Sequence, residues 1–133
     1  MNTNNQIILQ VDGNEYPLQS LEYRIHRDID IIGMPSSNPR GGIFECVRNS
    51  DHDLQFLILS MDYHRSFDGQ INFFNEVGER YKKIKFDQAY LIDYRESIKV
   101  DSPEQEGSKL EFFIFSAKSI NINGHTLMNA WPE

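Results

Sequence analysis

Most of the chain alternates apolar and polar residues, which is the period expected of β-strands with one buried face. The alternation runs longest over residues 21–31, 89–100 and 109–122. Shorter runs of the same kind cover residues 7–11, 43–48, 70–75 and 80–87. The pattern therefore predicts a mainly β protein built from many strands at short spacing.

Short turn signals separate several of these runs. Asp12-Gly13 and Asn123-Gly124 are typical of tight β-hairpins, and Gly78 marks a further turn. Pro17 lacks a backbone donor, so it indicates an edge strand or a break before residue 21. Residues 125–133 are expected to form a tail that Trp131 anchors to the body of the protein.

Residues 50–66 change to a helical period. Four apolar residues form a stripe at positions i, i+3, i+4 and i+7: Leu54, Leu57, Ile58 and Met61. Ser50 followed by Asp53 resembles a capping box, and Asp68-Gly69 is expected to end the helix. Four more residues widen the apolar face and leave open whether both sides of the helix are covered: Phe56, Leu59, Tyr63 and Phe67.

Strands of this kind with one helix must close into a barrel or stack as a sandwich to bury their apolar faces. The helix then plugs or flanks one opening. The length of 133 residues suits one domain spanning 1–133.

The connection over residues 33–42 is unusually long. A plain hairpin needs about two to five residues, whereas this segment carries two prolines and three glycines over ten positions. It also carries one apolar side chain, Met34, and one cation, Arg40. Two interpretations stay open here: a functional loop, or a surface loop with Met34 tucked beneath it.

Composition excludes several classes of function. The formal net charge of −7 makes the chain a poor candidate for sequence-independent nucleic-acid binding. The single cysteine, Cys46, permits no intramolecular disulfide and no cysteine zinc site, and it is expected to be a buried, inert thiol. No apolar run approaches the length of a membrane span, and residues 1–6 lack the features of a secretory signal. We therefore expect synthesis in the cytoplasm and no membrane insertion.

Catalytic and metal-binding motifs are also missing from the sequence. No two of the four histidines have the i, i+4 spacing of a helical metal pair. Asp51-His52-Asp53 could be drawn as a metal cluster, but capping carboxylates at a helix start are the simpler account. We therefore expect no enzyme activity, no metal and no cofactor.

Five short motifs in order carry a family resemblance. They are Gly33-x-Pro-Ser-Ser-x-x-Arg-Gly-Gly42, Asp68-Gly-Gln-Ile71 with Phe73, the stretch 85–96, Phe115-Ser-Ala-Lys-x-Ile120, and Asn129-x-Trp-Pro132. Over nearly the full length, the sequence resembles the haemolysin co-regulated protein (Hcp) of type VI secretion systems, in the form found in Bacteroidetes.

The resemblance implies a β-barrel of two sheets with one flanking α-helix. It implies six copies closed into a ring, and rings stacked into a tube inside a contractile sheath. The tube is exported without a signal peptide, with a spike at its tip and effectors in its lumen. The long loop is implied to reach the neighbouring ring through the residues Gly33, Met34, Pro35, Ser36, Ser37, Arg40, Gly41 and Gly42.

Two departures from the family pattern leave the role of this copy open. The stretch 54–61 lacks the tryptophan expected before its methionine, and 102–107 lacks the methionine often found after the proline. The chain is therefore either the main tube subunit or a minority paralogue that bears cargo.

A monomeric ligand-binding β-barrel is the competing interpretation. A ring subunit needs apolar residues outside its core, and the candidates for such a ring interface are Phe74, Phe113 and Phe115. A monomer would bury or avoid them.

Overall fold

The computed structural model describes residues 5–62 and 64–131, and these form eight strands and one helix. In chain order the elements are β1 (Gln6–Val11), β2 (Asn14–Leu18), β3 (Ser20–Tyr23), β4 (Ile43–Asn49), α1 (Gln55–Met61), β5 (Phe67–Phe74), β6 (Arg80–Lys99), β7 (Ser108–Ile122) and β8 (His125–Met128). The predicted mainly β fold with one helix is confirmed.

All the described strands belong to one antiparallel sheet in the order β2-β1-β5-β6-β7-β4-β3, with β8 paired to β7. The edge strands β2 and β3 are separated in the chain by Gln19 alone. A sheet whose two edges are so close in sequence must curl back on itself, and the result is a half-barrel. The Gln19 amide donates to the Val47 carbonyl at 2.7 Å and closes this corner. The two facing layers that the resemblance implies are thus joined in one curled sheet.

The predicted strands 80–87 and 89–100 are in fact the single strand β6. Between them Gln88 has a φ of 52°, and the register with β7 shifts between Leu91 and Asp93. These irregularities bend the strand without ending it, because β7 supplies hydrogen-bonding partners on both sides of them. The prediction of two separate strands was wrong because the sequence does not distinguish a residue that bends a strand from one that ends it.

The predicted strand over 21–31 is also wrong, because β3 ends at Tyr23. Tyr23 pairs with Phe44, and beyond this pair the chain leaves the sheet. Ile25, Ile29 and Ile31 continue the alternation but are exposed. Their alternation marks no buried face, since no core lies beneath them.

Aromatic side chains fill the inside of the half-barrel. The rings of Phe44, Phe86 and Phe115 are fully buried, with Phe115 centred 5.0 Å from Phe44 and 4.7 Å from Phe86. Cys46 lies in the same core, as predicted, and burial raises the pKa of its thiol.

The helix α1 lies within the predicted segment but buries a different face. Phe56 and Leu59 are its buried residues, and the Phe56 ring stacks on Phe113 at 4.1 Å between centroids. Most of the predicted core stripe is exposed instead: Leu54, Ile58 and Met61. The helical period shows that apolar residues share a face, but the aromatic surface of the sheet decides which face packs. Tyr63, which was expected to widen the apolar face, lies outside the described residues.

The predicted helix ends are wrong as well. Leu54 occupies the N-cap position without a side-chain hydrogen bond, while Ser50 donates its hydroxyl to Glu96 at 2.5 Å. The residues 68–69 lie within β5 and not at the helix end.

A buried ion pair fixes the segment that leads into the helix. Arg48 Nε donates to Glu111 Oε1 at 2.5 Å, and both side chains are almost fully buried. Arg48 Nη2 also donates to Asp51 Oδ1 at 3.0 Å, and Tyr94 donates its hydroxyl to Glu111 Oε2 at 2.5 Å. The hydrogen bond from Arg48 holds the pKa of the Asp51 carboxyl below its usual range. Arg48 is thus the partner of Asp51, and within 5–62 and 64–131 no group of three or more His, Cys, Asp or Glu side chains is placed to hold a metal ion.

Part of the expected C-terminal tail is the strand β8, which pairs with β7 from Ser119↔Met128 to Ile122↔His125. The centroid of the Trp131 ring lies 6.1 Å from that of the Tyr90 ring of β6, so Trp131 contacts the body of the protein, as predicted. Within the described ranges, no helix is long and apolar enough to cross a membrane.

Candidate assembly interface

The segment 24–42, called the arm below, is longer than the predicted loop and has its own structure. His26 and Arg40 exchange two backbone hydrogen bonds, each of 2.7 Å. A second bridge pairs Ile29 with Pro35. The arm is therefore a narrow hairpin that leaves the sheet after Tyr23 and rejoins it at Ile43.

A tight turn closes the far end of the arm. The Asp30 amide donates to the Met34 carbonyl at 2.8 Å, and the Gly33 amide donates to the Asp30 carbonyl at 3.0 Å. The Asp30 carboxylate accepts from the amides of Ile32 at 3.0 Å and Met34 at 2.9 Å. Gly33 has a φ of 88°, a conformation that glycine adopts at little cost. The hydrogen bonds within residues 30–34 thus define the turn.

Polar side chains hold the two legs of the arm together. Arg40 Nη2 donates to Asp28 Oδ2 at 2.5 Å, and the Asp28 amide donates to Ser37 Oγ at 2.8 Å. The Ser36 amide donates to the Asp28 carbonyl at 2.8 Å. Ser36, Ser37 and Arg40, expected at an inter-ring contact, therefore have partners within the arm itself.

Asn129 fixes the base of the arm. Its Nδ2 donates to the carbonyls of Gly41 at 2.5 Å and Ala117 at 2.9 Å. Gly42 has a φ of 92°, and a Cβ on it would lie 2.7 Å from the Ala117 carbonyl oxygen. The prediction that a side chain would block this backbone return is confirmed for Gly42. The clamp by Asn129 was missed, because residues 88 positions apart in sequence give no local signal of their contact.

The end of the arm displays three apolar side chains, called the arm tip: Ile31, Ile32 and Met34. Their exposed fractions are 102%, 80% and 58%. The alternative in which Met34 is tucked beneath the loop is therefore wrong. Adjacent exposed apolar side chains on an ordered hairpin are typical of a contact surface. Ile31 was missed as a candidate because the alternation assigned it to the predicted strand over 21–31, and Ile32 was missed because it falls between that strand and the predicted loop over 33–42.

The structure separates the three candidate ring-interface residues. Phe113 and Phe115 lie in the core, against Phe56 and Phe44 respectively. The prediction that they lie outside the core is wrong, because they belong to the inward-facing side of β7. Phe74 is half-buried at the end of β5.

Comparison with known proteins identifies the family. The model of the family described as Hemolysin coregulated protein Hcp (TssD) matches residues 3–132. The structure of Hcp1 from Flavobacterium johnsoniae is similar with a TM-score of 0.83 and 26% identity, over 93% of this chain and 99% of that one.

More distant structures share the fold. Hcp1 from Salmonella typhimurium has a TM-score of 0.71 at 14% identity, over 96% of this chain and 92% of that one. A chain of the sheath–tube complex of PVC, an extracellular contractile injection system in its extended state, has a TM-score of 0.58 at 15% identity, with coverage of 89% and 88%. No curated protein matches the sequence.

The family match over nearly the whole length and the structural similarity to Hcp1 from Flavobacterium johnsoniae agree with one another. The chain belongs to the Hcp (TssD) family, the tube proteins of type VI secretion systems.

Proposed function

We propose that this chain is a structural subunit of the type VI inner tube, that six copies close into a ring, and that the arm joins each ring to the next. The observation that carries the proposal is the ordered hairpin with the exposed arm tip. Family membership supports the tube role, and the arm supplies a surface for assembly.

The internal bonding of the arm favours binding. The two backbone bonds between His26 and Arg40 and the capped turn at Asp30 already restrict the free arm. Docking a segment that is already ordered costs less conformational entropy than docking a flexible loop. Burial of the arm tip then removes apolar area from water, which contributes about 25 cal/mol per Å².

Ring closure requires heterologous contacts, in which one face of a subunit meets a different face of the next. Of the three candidate phenylalanines, Phe74 is the one whose side chain is partly exposed. We therefore propose Phe74 as a residue of the ring interface. The packed core also favours a structural subunit over a ligand-binding barrel. Phe44, Phe86 and Phe115 occupy the space in which such a barrel would hold its ligand.

The proposed partners follow from the tube role. They are further copies of this chain, the contractile sheath, the spike, and effectors carried in the lumen, with no nucleic acid, cofactor or catalysis involved. The sheath–tube complex that shares this fold supports a sheath as partner. Export is proposed to depend on contraction of the sheath and not on a cleaved signal.

Substitutions in the arm tip test the proposal. Ile31→Ser with Ile32→Ser leaves the hydrogen bonds of the arm in place, because those bonds use the backbone and the Asp30 side chain. Val77→Ser is the matched control, since Val77 is an equally exposed apolar residue in the turn between β5 and β6. We expect rings in both proteins by electron microscopy, with stacked tubes and export reduced only in the arm-tip variant.

Replacement of residues 34–40 by a Gly-Ser link removes most of the second strand of the arm hairpin. We expect it to reduce stacking and export as the arm-tip substitutions do. Stacked tubes and normal export from both altered proteins would contradict an inter-ring role for the arm. If the arm-tip variant failed to fold, the arm would belong to the core. If it folded but formed no rings, the arm would act in ring closure. Equal release of the parent protein from cells that lack the sheath would contradict the export route.

A further inference from the structure

The helix α1 carries an apolar surface that the fold does not use. Its buried side holds Phe56 and Leu59, whereas Leu54, Ile58 and Met61 are 54%, 48% and 75% exposed. These three residues, called the helix stripe, have the spacing i, i+4 and i+7 of one helix face. A helix that only flanks a core normally presents polar residues to water on this side, so the helix stripe has the character of a contact surface.

The end of the helix also lacks a cation. Asp62 occupies the C-cap, and the last turn contains no basic residue. Among the described residues, the side chain of Asp62 forms no ion pair. A carboxylate at the negative end of the helix dipole is unfavourable unless a positive charge lies nearby. A partner that covers the helix stripe is therefore expected to bring a cation to Asp62.

The arm has the matching properties. Its tip is apolar, and the leg that leads to the tip carries Arg24 and Arg27. Neither arginine forms an ion pair within the described ranges, and Arg27 bonds only the Ser37 carbonyl, at 3.2 Å. Each copy thus offers one apolar tip with unpaired cations and one apolar stripe beside an unpaired carboxylate.

These two surfaces lie at opposite ends of the half-barrel. The arm precedes the first residue of β4, and the segment that leads into α1 follows its last residue. At the arm end, Lys82 near the start of β6 donates to the Tyr23 hydroxyl at 3.3 Å. At the other end, Gln55 of the helix donates to Asp12 in the β1–β2 turn at 2.7 Å. Different surfaces at opposite ends are what head-to-tail contact between copies requires, because each contact leaves one of each surface free for the next copy.

We propose that the helix stripe of one copy is the docking site for the arm tip of a second copy of this chain, with Arg27 of the second copy placed near Asp62 of the first. This inference rests on the proposed stacking of rings and names the surface that receives the arm. The contact buries both apolar surfaces and pairs a guanidinium with the carboxylate at the helix end.

Cysteine cross-linking tests the contact directly. A disulfide requires Cα atoms within about 7 Å, so it reports direct contact between the two surfaces. Met34→Cys with Ile58→Cys, oxidised under conditions in which tubes form, should give a ladder of covalent multimers on a denaturing gel. Each single variant is a control and should give none, and the native Cys46 is buried in every protein. A mixture of the two single variants should give dimers that contain one chain of each.

The outcomes separate this inference from the stacking proposal. Stacked tubes in the micrographs without the ladder would overturn the helix-stripe assignment and leave stacking intact. Dimers from Met34→Cys alone would mean that the arms of two copies contact each other. This result would also overturn the helix-stripe assignment. Rings that never stack in the parent protein would overturn both proposals.

A charge exchange tests the polar part of the contact and covers the case in which the cysteine variants fail to assemble. Arg27→Glu and Asp62→Arg should each reduce the stacked fraction, and their combination should restore it. Arg65→Glu is the matched control, because it reverses a charge three residues beyond Asp62 in sequence and leaves the proposed Arg27–Asp62 pair in place. No rescue by the combination, together with normal stacking of Ile58→Ser with Met61→Ser, would overturn the proposal.

Discussion

Gly42 and Gly33 both have a positive φ, but they differ in what surrounds them. Gly42 lies where the arm returns to the sheet, against the Ala117 carbonyl, whereas a Cβ on Gly33 would meet nothing within 4 Å. A side chain at either position would therefore be strained by the backbone conformation, but only at position 42 would it also collide with neighbouring atoms. Substitution at Gly33 therefore tests only the need for a positive φ, whereas substitution at Gly42 tests the positive φ together with the close packing.

Gly42→Ala should lower the free energy of unfolding by more than 2 kcal/mol, compared with about 1 kcal/mol for Gly33→Ala. The added difference arises because the new Cβ at position 42 collides with backbone, which cannot move aside cheaply. Urea denaturation at a concentration at which both variants share one oligomeric state measures it. An equal loss of unfolding free energy in both variants would show that the backbone at the base of the arm moves aside for the new Cβ at little cost.

Two tyrosines contribute to the dependence of stability on pH in the alkaline range. Burial raises the pKa of Tyr94, as does its hydrogen bond to Glu111, and burial together with Asp53 raises the pKa of Tyr16. Above pH of about 10 the unfolded chain loses protons that the folded chain keeps, so the free energy of unfolding falls as pH rises.

Tyr94→Phe should make this alkaline fall shallower, because it removes one of the protons that the folded chain retains. The protons of Tyr16 and Cys46, whose pKa values burial also raises, remain. Denaturant titrations between pH of about 9 and 11 measure the slope for the parent protein and the variant. An unchanged slope would mean that the Tyr94 hydroxyl ionises alike in both states.

At the scale of single residues, the sequence correctly indicated that Cys46 is buried, because a free cysteine within an apolar strand behaves as a small hydrophobic residue. It failed for Phe113 and Phe115 because β7 carries large apolar residues on both faces, including Phe112 and Ile114. Which face turns inward depends on the curl of the sheet, and the curl follows from pairings between distant strands.

At the scale of elements, the same limitation explains the helix and the arm. The helical period placed α1 within 50–66, but its packing face depends on Phe113, which is far away in sequence. The alternation over 21–31 predicted a strand, but the ladder with β4 ends at Tyr23. The prolines and glycines of 33–42 correctly indicated that the chain leaves the sheet, and only the starting point of the excursion was missed.

The two faces of α1 should respond differently to truncation. Phe56→Ala is expected to cost about 3 to 5 kcal/mol of stability, because it removes a fully buried ring stacked on Phe113. Met61→Ala should change stability by less than about 0.5 kcal/mol, because Met61 is mostly exposed in the single chain. Thermal or urea denaturation of dissociated protein measures both, and a large loss for Met61→Ala would contradict the assignment of an unused face.

At the scale of the whole molecule, the half-barrel has an arm at one end and an exposed helix face at the other. The packed core gives the single chain its own hydrophobic interior, and the two exposed apolar surfaces support the proposal that copies associate. The sequence identified the family from five short motifs, since motifs at a fixed order and spacing retain the identity of a fold. The helix stripe, which we propose receives the arm, has no sequence motif of its own and was recognised only from the exposure of its side chains.

The central claim is that this chain assembles into closed rings that stack, and electron microscopy of the purified protein tests it most directly. We predict rings of six copies of the 15.6 kDa chain, with stacks joined end to end at higher concentration. Native mass measurement of the same sample should give six chains per ring. A monomer by both methods at a concentration of about 100 μM would contradict the account, because an apolar arm tip held ready for binding would then have no partner copy.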